Sequence, residues 1–344
     1  MRRIPVLKMD EKVIIMKNKK LKVLCVAAAV AVGCTLFCGC SDNNSSGSSR
    51  EPDKAQSQVV RSPDGSTDTQ QGQDTASSQA QGSAETGAEE SGGKVKVNDS
   101  ALGEIWIDRL DGVELNRLDN SGFSSDGVFK QYSENGAKAS VTGVDVSSYN
   151  GDIDWQRVKD SGVDFAMIRV GGRGYGDSGA LYPDEKAAEY LSQAKAAGIK
   201  VGAYFFSQAT TAEEAAEEAE YSKEIIGDIA LDYPLAYDWE IIPDDDARTD
   251  SVSAEQATEF AAAFCEKAKQ LGYTPAIYST SRELYYKYNL EKLSDYDVWY
   301  SEYADLPSFY YRFSIWQYSK EGVVDGIDGT VDLNLCFTKL ADFD

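Results

Sequence analysis

From Val141 onward the 344-residue chain alternates short β-branched or aromatic runs with amphipathic stretches, a rhythm that admits few folds. Strands are predicted at 141–147, 165–171, 200–206, 235–240, 274–279, 297–303, 313–318 and 331–335. Helices are predicted at 155–160 and 184–197. A third opens on the capping box Thr211 to Glu214, with Ala212, Ala215, Ala216 and Ala219 at helical spacing. A fourth is capped by Ser253 to Gln256 and ends at Gly272. Strands that alternate with helices form parallel sheets. Eight strands in about 205 residues therefore predict a compact barrel over 140–344, its last strands lacking full helices. Residues 96–139 read as a short ordered lead-in.

The N-terminal part follows other rules. Residues 1–40 carry eight basic side chains against Asp10 and Glu11, then an apolar run from Leu21 to Phe37. This is the pattern of a secretory signal, with Met16 as an alternative start. Leu36-Phe37-Cys38-Gly39-Cys40 resembles a bacterial lipobox, which makes Cys40 the expected lipidation site. The expectation is export, either lipid-anchored at the outer face of the cell membrane or secreted to the wall. An uncleaved helix of about 17 residues is the competing anchor. Residues 41–95 hold Ser, Gly, Gln, Thr and acidic residues and no aromatic ring. Such a segment cannot bury enough apolar surface to fold, so a disordered linker spanning on the order of 40 Å is expected.

Composition removes several chemistries. The chain has no histidine, so no Ser-His-Asp triad, Cys-His pair or His-ligated zinc can form. With 57 acidic and 34 basic residues and a net charge of -23, it repels nucleic acid. Four of six cysteines lie before residue 41, leaving Cys265 and Cys336 as ordinary buried thiols. Gly174-Tyr-Gly-Asp-Ser-Gly179 matches a dinucleotide fingerprint in letters, but Pro183 delays the helix that motif requires, so a loop over the cleft is expected. Asp244-Asp245-Asp246 lacks the glycine of a calcium loop and reads as a solvated loop. No metal and no cofactor are expected.

What remains is carboxylate chemistry. In a barrel of this kind the site lies at the C-terminal ends of the strands. Pro234-Leu-Ala-Tyr-Asp-Trp-Glu240 places Asp238 and Glu240 at the end of the fourth strand, two residues apart and therefore on one face. Repulsion between them raises the proton affinity of one, and a protonated acid beside a carboxylate is what glycoside hydrolysis needs.

Val141-Thr-Gly-Val-Asp-Val-Ser-Ser-Tyr-Asn-Gly-Asp-Ile-Asp-Trp155, Ala166-Met-Ile-Arg169, Gly202-Ala-Tyr-Phe-Phe206, Tyr237-Asp-Trp-Glu240 and Gly329-Thr-Val-Asp-Leu-Asn334 occur in this order. The series resembles the glycoside hydrolase family 25 lysozymes, the Chalaropsis-type N-acetylmuramidases, over about residues 140–340. The resemblance implies an irregular TIM-like (β/α) barrel with five helices and eight strands. It also implies cleavage of the β-1,4 bond from N-acetylmuramic acid to N-acetylglucosamine in peptidoglycan. By the same resemblance Glu240 matches the general acid, and Asp145, Asp238 and Asp332 match the other acidic positions of the cleft. Asp238 is expected to orient the substrate's 2-acetamido group as an internal nucleophile, with an inverting, water-based route as the rival. A non-catalytic glycan-binding module and an endo-N-acetylglucosaminidase stand as the alternative functions. The partners expected are glycan strands and, through the N-terminal segment, a membrane, with the protein itself a monomer.

Tyr204, Tyr278, Trp299, Trp316 and Gln317 are further strand-end candidates for substrate binding, with core packing as the other reading of the two tyrosines. Arg169, a charge inside a barrel, needs a carboxylate, and a structural ion pair with one of the site aspartates is expected. Phe205 stands where many relatives carry a histidine, a difference that bears on pocket shape.

Overall fold

The computed structural model describes residues 90–99, 102–241 and 247–338. The signal segment, Cys40 and the linker up to residue 89 lie outside the described residues, as does the Asp244-Asp245-Asp246 loop.

Among the described residues, eight strands close a barrel and five α-helices accompany it. The strands are β1 (Ser140–Val146), β2 (Phe165–Arg173), β3 (Lys200–Phe206), β4 (Leu235–Asp238), β5 (Pro275–Thr280), β6 (Asp297–Ser301), β7 (Ile315–Gly322) and β8 (Val331–Phe337). The helices are α1 (Trp155–Asp160), α2 (Ala187–Ala196), α3 (Ala212–Ile226), α4 (Ala254–Gln270) and α5 (Ser281–Tyr286). Strands β1 to β7 pair in parallel, in sequence order. The expectation of a purely parallel sheet fails at the closure, where β8 runs antiparallel to both β7 and β1. A short strand, Leu181–Pro183, adds antiparallel to the end of β2.

Local chemistry explains the helix ends. Ser253 and Gln256 form a complete capping box at α4. At α3 the Thr211 side chain accepts from the Glu214 N–H, but the Glu214 carboxylate turns to the Thr210 N–H at 2.7 Å instead of to Thr211. Helix α2 starts at Ala187, three residues later than expected, with the Asp184 carboxylate in the preceding turn accepting from the Lys186 N–H and from Arg169.

Strands Glu90–Ser91 and Lys94–Asp99 already occupy part of the segment expected as linker. The lead-in consists of two small antiparallel sheets, one of Glu90–Ser91, Lys94–Asp99 and Gly103–Asp108, the other of Phe123–Ser125, Lys130–Glu134 and Ala137–Lys138. Both touch the barrel: Asp99 meets Arg282 of α5, and the Tyr132 ring lies 5.5 Å from that of Phe337.

Side chains alternate along each strand, so every strand supplies two cores. Phe205, Tyr237, Tyr300, Trp316, Leu333 and Leu335 point outward into the larger core. Phe165, Met167, Ala236, Ala276, Trp299, Ile315 and Cys336 fill the interior. At its floor Phe165 stacks on Tyr233, with ring centroids 4.4 Å apart and planes 5° from parallel. Residue 143 must be glycine here, because a Cβ would lie 2.2 Å from the Phe165 ring.

Candidate active site

The inward positions at the C-terminal ends of β1 to β7, together with the start of antiparallel β8, converge on one space. Asp145 and Asp332 face each other directly across the β1–β8 ladder. The Oδ2 of Asp145 accepts from the Gln317 amide at 2.8 Å and the Asn334 amide at 2.7 Å. Burial and the neighbouring Asp332 charge push Asp145 up to about 8, although both amide hydrogen bonds favour its anion. Asp332 is pushed up to about 6 by burial, against a hydrogen bond from Asp145 and the charge of Lys320. Burial and mutual repulsion favour a proton on this pair.

A second pair stands at β4. Strand β4 ends at Asp238, and Glu240 lies just beyond it on the same side. The two carboxyls hydrogen-bond to one another. Burial and the Glu240 charge hold Asp238 well above the usual carboxylate range. Burial also raises Glu240, as does the charge of Glu283 at the start of α5. Burial and mutual repulsion thus favour a proton on this pair, and Glu240 is its less buried, outer member.

A polar scaffold sits beneath these acids. The Gln317 carbonyl oxygen accepts from the hydroxyls of Tyr278 at 2.9 Å, Ser301 at 2.8 Å and Tyr303 at 3.2 Å. The indole N–H of Trp299 donates to Asn334 at 2.8 Å, which turns the Asn334 amide toward Asp145. Tyr278, Trp299 and Gln317 are buried, Trp299 to 1 % exposure, with their polar atoms engaged in this network around Asp145. Tyr204 remains half-exposed beside Asp145 and Asp238, its ring edge-on to Trp299 at 5.6 Å.

Two expectations need correction. Trp316 is fully buried on the outer face, edge-on to Phe123 at 5.7 Å, with its N–H on the Glu302 carbonyl. It is adjacent to Gln317 on a strand, and neighbouring strand residues cannot both enter the cleft. Arg169 does form an ion pair, but with Asp184, at 2.7 Å, and not with one of the three cleft aspartates. Asp184 also receives the Ser148 N–H and hydroxyl, so the pair ties β2 to the loop after β1. Phe205 points away from the cleft, against Tyr221 of α3, so the difference from relatives there leaves the pocket lining untouched.

Sequence reasoning missed Ser301, Tyr303, Glu283, Asp184 and Tyr149. Ser301 and Tyr303 continue the two-residue spacing from Trp299, a signal that was present. Tyr149 is 88 % exposed with the Arg169 guanidinium 4.9 Å from its ring centre, an aromatic face at the mouth of the site. Cys265 and Cys336 are free and buried, as expected. Among the described residues no group of three or more Cys, Asp or Glu side chains is arranged to hold a metal ion.

Similarity to known proteins agrees with this geometry. The chain is 29% identical over 196 residues to the autolytic lysozyme of Clostridium acetobutylicum, covering 56% of this chain and 55% of that relative's length. It is 28% identical over 204 residues to lysozyme M1 of Streptomyces globisporus, covering 56% and 67% of the two chains. The chain thus spans only about half the length of the first of these relatives. The fold resembles that of the modular autolysin LytC from Streptococcus pneumoniae, with a TM-score of 0.50 and 22% identity over 72% of this chain and 57% of that one. Residues 144–327, just over half of the chain, match the model for glycosyl hydrolases family 25, and the chain belongs to that family.

Proposed function

We propose that the protein is a muramidase that hydrolyses the β-1,4 bond between N-acetylmuramic acid and N-acetylglucosamine in peptidoglycan. The observation that carries this reading is the gathering of two buried, mutually repelling carboxyl pairs, Asp238 with Glu240 and Asp145 with Asp332, in one cleft. Such a site supplies a proton to a leaving oxygen and negative charge to an oxocarbenium-like transition state.

Glu240, the outer member of its pair, delivers the proton to the leaving oxygen. The shared proton passes to it from Asp238, which is left as a carboxylate able to accept the acetamido N–H. That contact turns the acetamido oxygen toward the anomeric carbon, and an oxazolinium forms as the glycosidic bond breaks. Water then opens the ring and returns a proton to Glu240. The direct hydrogen bond between Asp238 and Glu240 supports this route. Asp145 and Asp332 add electrostatic stabilisation, and Tyr204 and Tyr149 offer the surfaces for sugar contact.

The protein is further proposed to act outside the cytoplasm, as a monomer, held at the membrane through Cys40 or released to the wall. Full-length protein and its Glu240→Gln variant, incubated with purified peptidoglycan, test the activity. Release of new reducing ends by the wild type alone is expected, with muramic acid at those ends. Equal release by both sinks the enzyme reading, and N-acetylglucosamine at the new ends makes it a glucosaminidase.

A further inference from the structure

Beside the Asp332 edge of the cleft runs a groove of about 870 Å³, whose lining includes Val128, Lys130, Tyr303, Lys320, Glu321 and Val323. It is joined to the acids through Tyr303, whose hydroxyl binds the same Gln317 that holds Asp145. Lys320 is exposed, its ammonium 5.7 Å from the centre of the Tyr303 ring, and its charge reaches Asp332. The other lysine, Lys130, is engaged by Asp305, at 2.8 Å to its carbonyl and 3.5 Å to its carboxylate. Among the described residues Lys320 is therefore the cation of this lining without an ion pair. Glu321 is the remaining acid there. Val128 and Val323, 54% and 71% exposed, offer apolar surface in the same groove.

An unpaired cation beside exposed valines, at the edge of an otherwise acidic cleft, matches a ligand that carries carboxylates and methyl groups. We propose that this groove receives the acidic arm borne on the lactyl ether of the muramic acid, with the Lys320 ammonium as its counter-ion. The proposal rests on the muramidase reading, and it assigns to Lys320 a specificity role apart from bond cleavage. The carboxylate has two sources, the peptide stem or, where the stem is absent, the lactyl group itself. The two share one chemistry.

Three substrates test this with full-length protein: stem-bearing glycan, the same glycan with its carboxyls converted to neutral amides, and glycan stripped of stems by an amidase. Lys320→Met is expected to raise KM on the stem-bearing glycan about three- to fivefold, as for an ion pair near a surface, with any change in kcat through Asp332 the same on all three substrates. It should leave KM on the amidated glycan unaffected, and Lys320→Arg should restore the wild-type KM. A KM effect that persists on stripped glycan shows that the lactyl carboxylate takes the place of the stem's, and one that vanishes there identifies the stem as the source. An equal KM effect on charged and amidated glycan, or no KM effect on any substrate the wild type cleaves, overturns the proposal. If the wild type cleaves none of the three, it is the muramidase reading that fails.

Discussion

Replacing Asp145 by asparagine should make the protein more stable while removing a carboxylate from its cleft. Both amide donors meet the same oxygen, Oδ2, so the amide oxygen of an asparagine can keep both bonds while its NH2 turns to Asp332. The magnitude follows from proton linkage. Asp145 is held at about 8 against an ordinary 3.8. Between pH 4 and pH 8 the folded protein thus keeps a proton that the unfolded chain has released, and stability declines as pH rises through that window. At pH 7 the unfolded carboxyl lies about three units above its pKa, which at ~1.36 kcal/mol per unit corresponds to ~4 kcal/mol. Asp332 stands lower, at about 6, and each carboxyl raises the other, so the two shifts cannot be added. A gain of ~2–4 kcal/mol at pH 7–8, or on the order of 5–10 °C in Tm, is expected for Asp145→Asn. The gain should shrink below ~1 kcal/mol by pH 4. Urea unfolding of both proteins at pH 4, 6 and 8 measures it. An asparagine variant less stable than wild type at pH 8, or a difference that does not change with pH, would refute the account of a buried, proton-sharing pair.

Other outcomes follow from the same geometry. Trp316→Ala should lower stability by about 3–5 kcal/mol, a core loss, and leave KM for glycan unchanged in protein that remains folded. Breaking the Arg169–Asp184 pair by Asp184→Asn should remove about 3–5 kcal/mol in urea titrations, because the guanidinium keeps its burial and loses its counter-charge. Proton NMR of the first-formed anomer should show retention, and an inverted product would rule out the acetamido route. The Cys336 thiol, pushed up to about 12 by burial, should not react with a thiol reagent at pH 8 until the protein unfolds.

Much of the barrel could be read directly. Helix α1 and strand β3 fall on their predicted residues, because apolar alternation and short amphipathic runs are properties of local sequence. The direction of β8 was also within reach. Residues 323–330 between β7 and β8 are too few for the crossover that a parallel pair requires, which is a dozen residues or more. Helix α5 was missed because it has six residues and no side-chain cap. In the cleft, the two-residue rule brought Asp238 and Glu240 together but should also have separated Trp316 from Gln317. The partner of Arg169 was not legible, since Asp184 enters from a loop whose path depends on tertiary packing.

The stacked Phe165 and Tyr233 at the floor of the barrel bear on more than packing. Their rings, with Met167, Ala236, Ala276 and Ile315 around them, fill the interior below the carboxyls, so the acids are approached from the mouth at the C-terminal ends of the strands. A glycan lying across that mouth covers the way by which protons exchange with bulk water. In the proposed reaction the four carboxyls would then work with a fixed proton inventory until the incoming water returns the proton passed to the leaving oxygen.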